Sequence, residues 1–180
     1  MLNNVVFLDR DGTINQDSAD YIKGWSEFVF LPRSIEALRD LTAAGFIIIV
    51  ITNQSSIPRK FISLQELENI HLKMIAAVES QGGKISDIFF CPHLPDAGCD
   101  CRKPEPGLIF QAQIKHDIDL STAVMIGDSA TDVNTAKAAG IPVVAVSFGY
   151  SEHPAHTLGA DAVIDDYAEL MDLLPGLLQN

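Results

Sequence analysis

The chain is poor in positive charge. Against 24 Asp and Glu it carries 12 Lys and Arg, a net charge of -12 over 180 residues. Proteins that grip nucleic acid or anionic membrane carry the opposite balance, so neither partner is expected. Long apolar runs are also missing. The longest, Phe46 to Ile51, is far shorter than the roughly 20 residues that cross a bilayer. No secretory leader is visible: Met1 is followed by Leu-Asn-Asn and a short apolar run that ends in acid at Asp9. A cytoplasmic location is expected, where thiols stay reduced. The cysteines number 3, and an odd count further disfavours a disulfide framework. Internal repeats, low-complexity segments and linker-like stretches are absent as well.

What remains is ordinary globular material. Hydrophobic residues make up 47%, aromatics 7% and charged residues 20% of the chain. Such a balance argues against disorder. The length suits one domain, residues 1–180, with a real core; a monomer is expected. Short β-branched runs alternate with helical patterns. Strands are expected at Val5–Asp9, Phe46–Thr52, Asp87–Cys91, Ala123–Gly127, Val143–Phe148 and Ala162–Ile164. Several are apolar on both faces, as buried parallel strands require. Helices are expected over Ser34–Ala44, Leu64 to about Gln81, Gly107–His116, Thr131–Ala139 and Tyr167–Leu174. Ser63-Leu-Gln-Glu66 has the form of a capping box, and Leu67, Ile70, Met74 and Val78 form one apolar stripe behind it. The alternation predicts an α/β fold: a doubly wound, Rossmann-like parallel sheet with helices on both faces. Ligands on such sheets bind beyond the carboxyl ends of the strands.

Those strand ends carry the chemistry. The first reads Val5-Val-Phe-Leu-Asp9-Arg-Asp11-Gly-Thr13. Asp9 and Asp11 are two residues apart and face one side of an extended chain, where their charges repel unless a cation intervenes or one is protonated. The second strand ends in Thr52-Asn53-Gln54-Ser55-Ser56, small polar groups suited to a phosphate. Arg102-Lys103-Pro104 precedes a helix, and Gly127-Asp128-Ser-Ala-Thr-Asp132 ends a strand. Singly, each has a bland explanation: an Asp-rich turn, a polar loop, two surface cations, a helix cap.

Their order decides. Asp9-Arg-Asp11-Gly-Thr13, then Thr52, then Lys103, then Gly127-Asp128-Ser-Ala-Thr-Asp132 resembles the haloacid dehalogenase-like (HAD) superfamily of aspartate-nucleophile phosphatases. The resemblance covers nearly the whole chain. It implies a Mg2+-dependent phosphomonoesterase acting through an aspartyl-phosphate, with Asp9 as nucleophile and Asp11 as general acid and base. Mg2+ would be held by Asp9, Asp128 and the Asp11 backbone carbonyl, with Asp132 one layer behind. Thr52 and Lys103 would hold the phosphoryl oxygens. The spans between motifs leave no room for a large cap domain, so the site is expected to be open.

Residues 91–104 read CPHLPDAGCDCRKP and contain every cysteine. Cys91, His93, Cys99 and Cys101 offer three sulfurs and one imidazole, a closed set suited to structural, tetrahedral Zn2+. Within the superfamily this loop, 91–101, resembles the histidinol-phosphatase-related branch. That resemblance implies a small phosphorylated sugar as substrate, with Arg102 gripping a second, non-reacting phosphate. Thr13, Asn53, Gln54 and Arg59 are further expected substrate contacts. The alternatives are histidinol phosphate or another sugar phosphate as substrate, and a zinc-stabilised binding scaffold on an inactive fold.

Overall fold

In this computed structural model, which describes residues 2–178, six parallel strands form one sheet. They are β1 (Val5–Leu8), β2 (Ile47–Asn53), β3 (Ile85–Cys91), β4 (Ala123–Gly127), β5 (Val143–Val146) and β6 (Ala162–Ile164). Met1 and residues 179–180 of the expected 1–180 domain lie outside the described residues. Across the sheet the order is β3-β2-β1-β4-β5-β6. The helices are α1 (Ser34–Ala43), α2 (Leu64–Ser80), α3 (Gly107–His116), α4 (Ala130–Ala139) and α5 (Leu170–Leu177).

The period-2 alternation of the strands explains why helices cover both faces. Val6, Leu8, Ile48 and Val50 point to one face and pack with Leu41 of α1, Ile70 and Met74 of α2, and Leu174 of α5. Val5, Phe7, Ile49 and Ile51 point to the other, against Leu108 and Ile109 of α3 and Val133 and Ala136 of α4. Each such side chain contributes roughly 1.5–3 kcal/mol by leaving water, so the sheet is fixed from both sides.

Several boundaries differ from expectation. β1 stops at Leu8, and Asp9 leaves the ladder after its N–H donates to the Ile126 carbonyl. β5 ends at Val146; Phe148 instead packs its ring against Tyr167, 4.9 Å between centroids. At α2 only half of the capping box forms: the Ser63 hydroxyl accepts from the Glu66 N–H, while the Glu66 carboxylate is engaged by Asn69. Tyr167–Glu169 is a 3-10 turn, and α5 then runs through Pro175, whose missing N–H falls in the final turn of the helix.

No large cap is inserted among the described residues. Between β1 and α1 lies only a flap, closed by an antiparallel bridge from Asn15 to Phe30 and stiffened by Trp25, Phe28 and Phe30. The strand order reverses direction between β1 and β4, and it is there that the crevice opens. No helix among the described residues is long and apolar enough to cross a membrane.

Candidate active site

A cleft of about 360 Å³ lies over the carboxyl ends of β1, β2 and β4. Asp9 sits at its base. One Asp9 oxygen accepts from the Arg10 N–H at 2.6 Å and from the Lys103 ammonium at 2.8 Å. Lys103 is 3% exposed, and its ammonium also reaches Asp132 at 2.6 Å. Burial alone would discharge this lysine, but Asp132 and Asp9 outweigh burial and raise its pKa above the ordinary value. Lys103 therefore enters the site as a fixed cation.

The acids beside it are in the reverse condition. Asp9, Asp128 and Asp132 bring carboxylate oxygens within 4.8 Å of one another. Burial raises the Asp9 pKa well above the ordinary value; Lys103 opposes this, while Asp132 and Asp128 reinforce it. Asp128 is pushed up to about 6 by burial and by the Asp132 charge, against a 2.7 Å hydrogen bond from the Tyr150 N–H. One lysine is too little charge for these carboxylates, and their oxygens suit a hard divalent cation. Asp132 has its own partners. Its oxygens accept from Lys103 and from the Ser129 hydroxyl and N–H, the latter closing a capping box at the start of α4. Asp9 and Asp128 bring their carboxylates together here, and Asp132 holds Lys103 from behind.

The local backbone requires glycine at two places. Gly12 has φ +81°, and a Cβ there would overlap Asp128. A Cβ at Gly149 would meet Asp128 as well. The chain thus closes on Asp128 from two loops.

Asp11 stands to one side. Its carboxylate accepts from Arg10 Nη2 at 2.6 and 2.7 Å, from Asn15 at 2.9 Å and from Gln54 at 2.9 Å. Burial alone would raise its pKa, but the Arg10 charge and these hydrogen bonds prevail and hold it below the ordinary value. Gln54 also donates to the Thr52 hydroxyl at 2.9 Å, so β2 and the first motif share one network.

The cysteine loop forms a compact cluster. Sulfur separations are 3.3 Å for Cys91–Cys101 and 3.7 Å for Cys91–Cys99. His93 Nδ1 lies 3.4 Å from the Cys91 sulfur and 3.3 Å from that of Cys101. Sulfurs bound tetrahedrally at about 2.3 Å from Zn2+ would sit about 3.8 Å apart; the Cys91–Cys99 pair matches this and the Cys91–Cys101 pair is closer, so the donor set fits that ion in type and number. Burial raises the Cys91 thiol, and the Cys101 thiol is pushed to about 12 by burial and by the neighbouring sulfurs. Bound thiolates need a cation there for the same reason. From this loop Arg102 Nη1 donates to the Ser55 hydroxyl at 2.8 Å and to the His93 carbonyl at 3.1 Å, which aims the guanidinium into the cleft.

Three expected contacts are placed differently. Thr13 is fully buried, beneath the turn at Gly12 rather than in the cleft. Arg59 lies outside the cleft lining; its guanidinium sits over the Tyr21 ring, 5.9 Å from the centroid. Asn53 borders the cleft, but its amide clamps the Lys103 backbone, donating at 3.0 Å and accepting at 3.1 Å. Residues outside the expected set include Arg10, His71 and Tyr150. Arg10 lay inside the first motif, and His71 interrupts the apolar stripe of α2 at the same spacing as Leu67, Met74 and Val78, which was a usable signal.

Three strand ends and the loop after β3 thus deliver one acidic cluster and one buried cation to a single crevice, and on this sheet that assembly defines a HAD-like phosphatase. The D-glycero-beta-D-manno-heptose-1,7-bisphosphate 7-phosphatase of Pseudomonas aeruginosa is 41% identical over 179 residues, covering 97% of this chain and 99% of the relative. This chain belongs to the D-glycero-beta-D-manno-heptose-1,7-bisphosphate 7-phosphatase family. The protein of that name from Neisseria meningitidis is 38% identical over 170 residues, 89% of this chain and 91% of its own. The HAD-hydrolase-like family model matches residues 100–170. A crystal structure of the D,D-heptose 1,7-bisphosphate phosphatase from B. bronchiseptica, complexed with magnesium and phosphate, has a TM-score of 0.88 at 36% identity, covering 98% of both chains.

Proposed function

We propose that the chain removes the 7-phosphate of D-glycero-beta-D-manno-heptose 1,7-bisphosphate, with Asp9 as nucleophile. The observation that carries this reading is the convergence of Asp9, Lys103 and Asp128 at the switch point between β1 and β4, with Asp11 beside them. In the first step an Asp9 oxygen forms a bond to phosphorus as the bond to the sugar oxygen breaks. The departing sugar oxygen takes a proton from Asp11, which first has to bind one against the pull of Arg10. In the second step Asp11 accepts a proton from water as the water oxygen bonds to phosphorus and Asp9 is released. Lys103 and Thr52 hold the phosphoryl oxygens while charge moves across them. Mg2+, held when bound by Asp9, Asp128 and the Asp11 backbone carbonyl, neutralises the repulsion between carboxylate and phosphate. Cys91, His93, Cys99 and Cys101 would hold a structural Zn2+, which would fix the loop that presents Arg102 to the non-reacting phosphate.

Asp9→Asn is expected to abolish phosphate release in the presence of Mg2+; near wild-type turnover in that variant overturns the mechanism. The substrate is tested separately, by comparing both anomers of the heptose bisphosphate with histidinol phosphate. A clear preference for histidinol phosphate overturns the substrate assignment and leaves the chemistry intact.

A further inference from the structure

Arg10 is the largest fully buried polar side chain among the described residues, 1% exposed, and nothing in the phosphoryl transfer described above uses it. Its guanidinium is divided between two partners. Nε and Nη2 face the Asp11 carboxylate, and Nη1 lies 3.3 Å from Nε2 of His71 on α2. A guanidinium has no acceptor atom, so His71 must present its Nε2 lone pair and carry its proton on Nδ1. His71 is itself 6% exposed and packs edge-on to Phe90, with 6.0 Å between ring centroids. Burial and the Arg10 charge hold its pKa near 3, so the ring stays a neutral acceptor at physiological pH.

Asp11 has to present an oxygen to the leaving group in one step and to water in the next. In this arrangement both of its oxygens are engaged by Arg10, and one or the other also accepts from Asn15 and Gln54. The direction from which Arg10 approaches therefore decides where the Asp11 carboxylate points. Arg10 in turn is a long side chain whose far end is fixed at Nη1. We infer that His71 is a positioning residue for the general acid and base: by anchoring Arg10 at Nη1, it sets the aim of the Asp11 carboxylate. This inference rests on the role given to Asp11 above. It ties α2, a helix outside all four strand-end motifs, to the proton-transfer step.

The test separates aim from general stability by varying how much the leaving group needs a proton. A sugar phosphate expels an alkoxide-like oxygen and depends on the acid, whereas p-nitrophenyl phosphate expels a stable phenolate and does not. The quantity to read is kcat/KM, which reports the step in which the leaving group departs. His71→Leu and His71→Asn, one apolar and one too short to reach Arg10, are expected to lower kcat/KM for the sugar phosphate about tenfold or more and for p-nitrophenyl phosphate by less than about threefold. His71→Gln, which restores an acceptor at similar reach, is expected to recover the sugar phosphate value to within about threefold of wild type. Equal losses on both substrates, or no loss on either, overturn the inference. Should His71→Leu fail to fold, the polar pair His71→Asn and His71→Gln decides alone. Asp11→Asn is the control. If it too affects both substrates equally, the acid and base role of Asp11 fails and this inference falls with it; if it is selective and the His71 variants are not, only the inference fails.

Discussion

Buried ionisable groups at single positions set both chemistry and pH response here. Lys103 stays charged in a buried setting because two carboxylates face it, and Asp11 stays ionised because Arg10 does. His71 is the opposite case. The unfolded chain takes up a proton on this histidine near pH 6.5, and the folded protein refuses it until about 3. The unfolded state therefore binds more protons throughout that window, so stability falls as pH drops from 6.5 toward 3. His71→Gln removes this titration. Urea unfolding at about pH 7.5 and about pH 5 should show the stability difference between those conditions shrinking by roughly 2 kcal/mol in the variant. An unchanged difference would mean that His71 titrates normally. At this scale the sequence was only partly legible. Asp9, Asp128 and Lys103 stood out because motif order located them. Thr13 and Arg59 did not behave as their sequence neighbourhood suggested, because a turn at Gly12 buries one and the Tyr21 ring holds the other.

Some elements were fully legible. β4, β6 and α3 match their expected spans residue for residue, and for β4 the reason is that a run buried on both faces has few other stable environments. Ends were harder. The Ser63 cap was visible in sequence, but Glu66 could answer either the cap N–H or Asn69, and the fold selected Asn69. The cap still satisfies one orphan N–H of α2. Ser63→Ala should lower the free energy of unfolding by about 1 kcal/mol in urea titration while leaving kcat and KM unchanged, because Ser63 does not line the cleft. A loss of activity matching the loss of stability would show instead that α2 loosens as a unit and carries His71 with it. Tyr167–Glu169 shows the limit of periodicity: the apolar spacing there was read as continuous helix, yet Asp166 caps a 3-10 turn first.

For the molecule as a whole, the site is assembled by pieces far apart in sequence. The cysteine loop is the clearest instance. Arg102 hydrogen-bonds Ser55 from β2's loop and the His93 carbonyl, while the next residue, Lys103, is clamped by Asn53 and faces Asp9. Losing the cluster should therefore act on catalysis at a distance. Cys101→Ser, or chelation of the wild-type protein, is expected to release zinc, lower Tm, and reduce kcat/KM for a bisphosphate more than for p-nitrophenyl phosphate, which has no second phosphate to hold. Metal analysis beside the kinetics checks it; a zinc-free protein with unchanged constants would show that the loop holds its shape unaided.

The sequence by itself determined the α/β class, the covering of both sheet faces and the identity of the charged cluster. These follow from period-2 and period-3.6 patterns and from residue types at strand ends, all of which are local or ordered along one dimension. Only the tertiary structure decided which strand lies beside which, and hence that Asp9 and Asp128 meet across β1 and β4. It also decided that Asp132 serves Lys103, and that a histidine on α2 reaches the arginine beside Asp9. Those pairings span between 29 and 61 residues of chain where the hydrogen bonds are counted. No local pattern encodes them, because they depend on where the packed sheet brings helices and loops to rest.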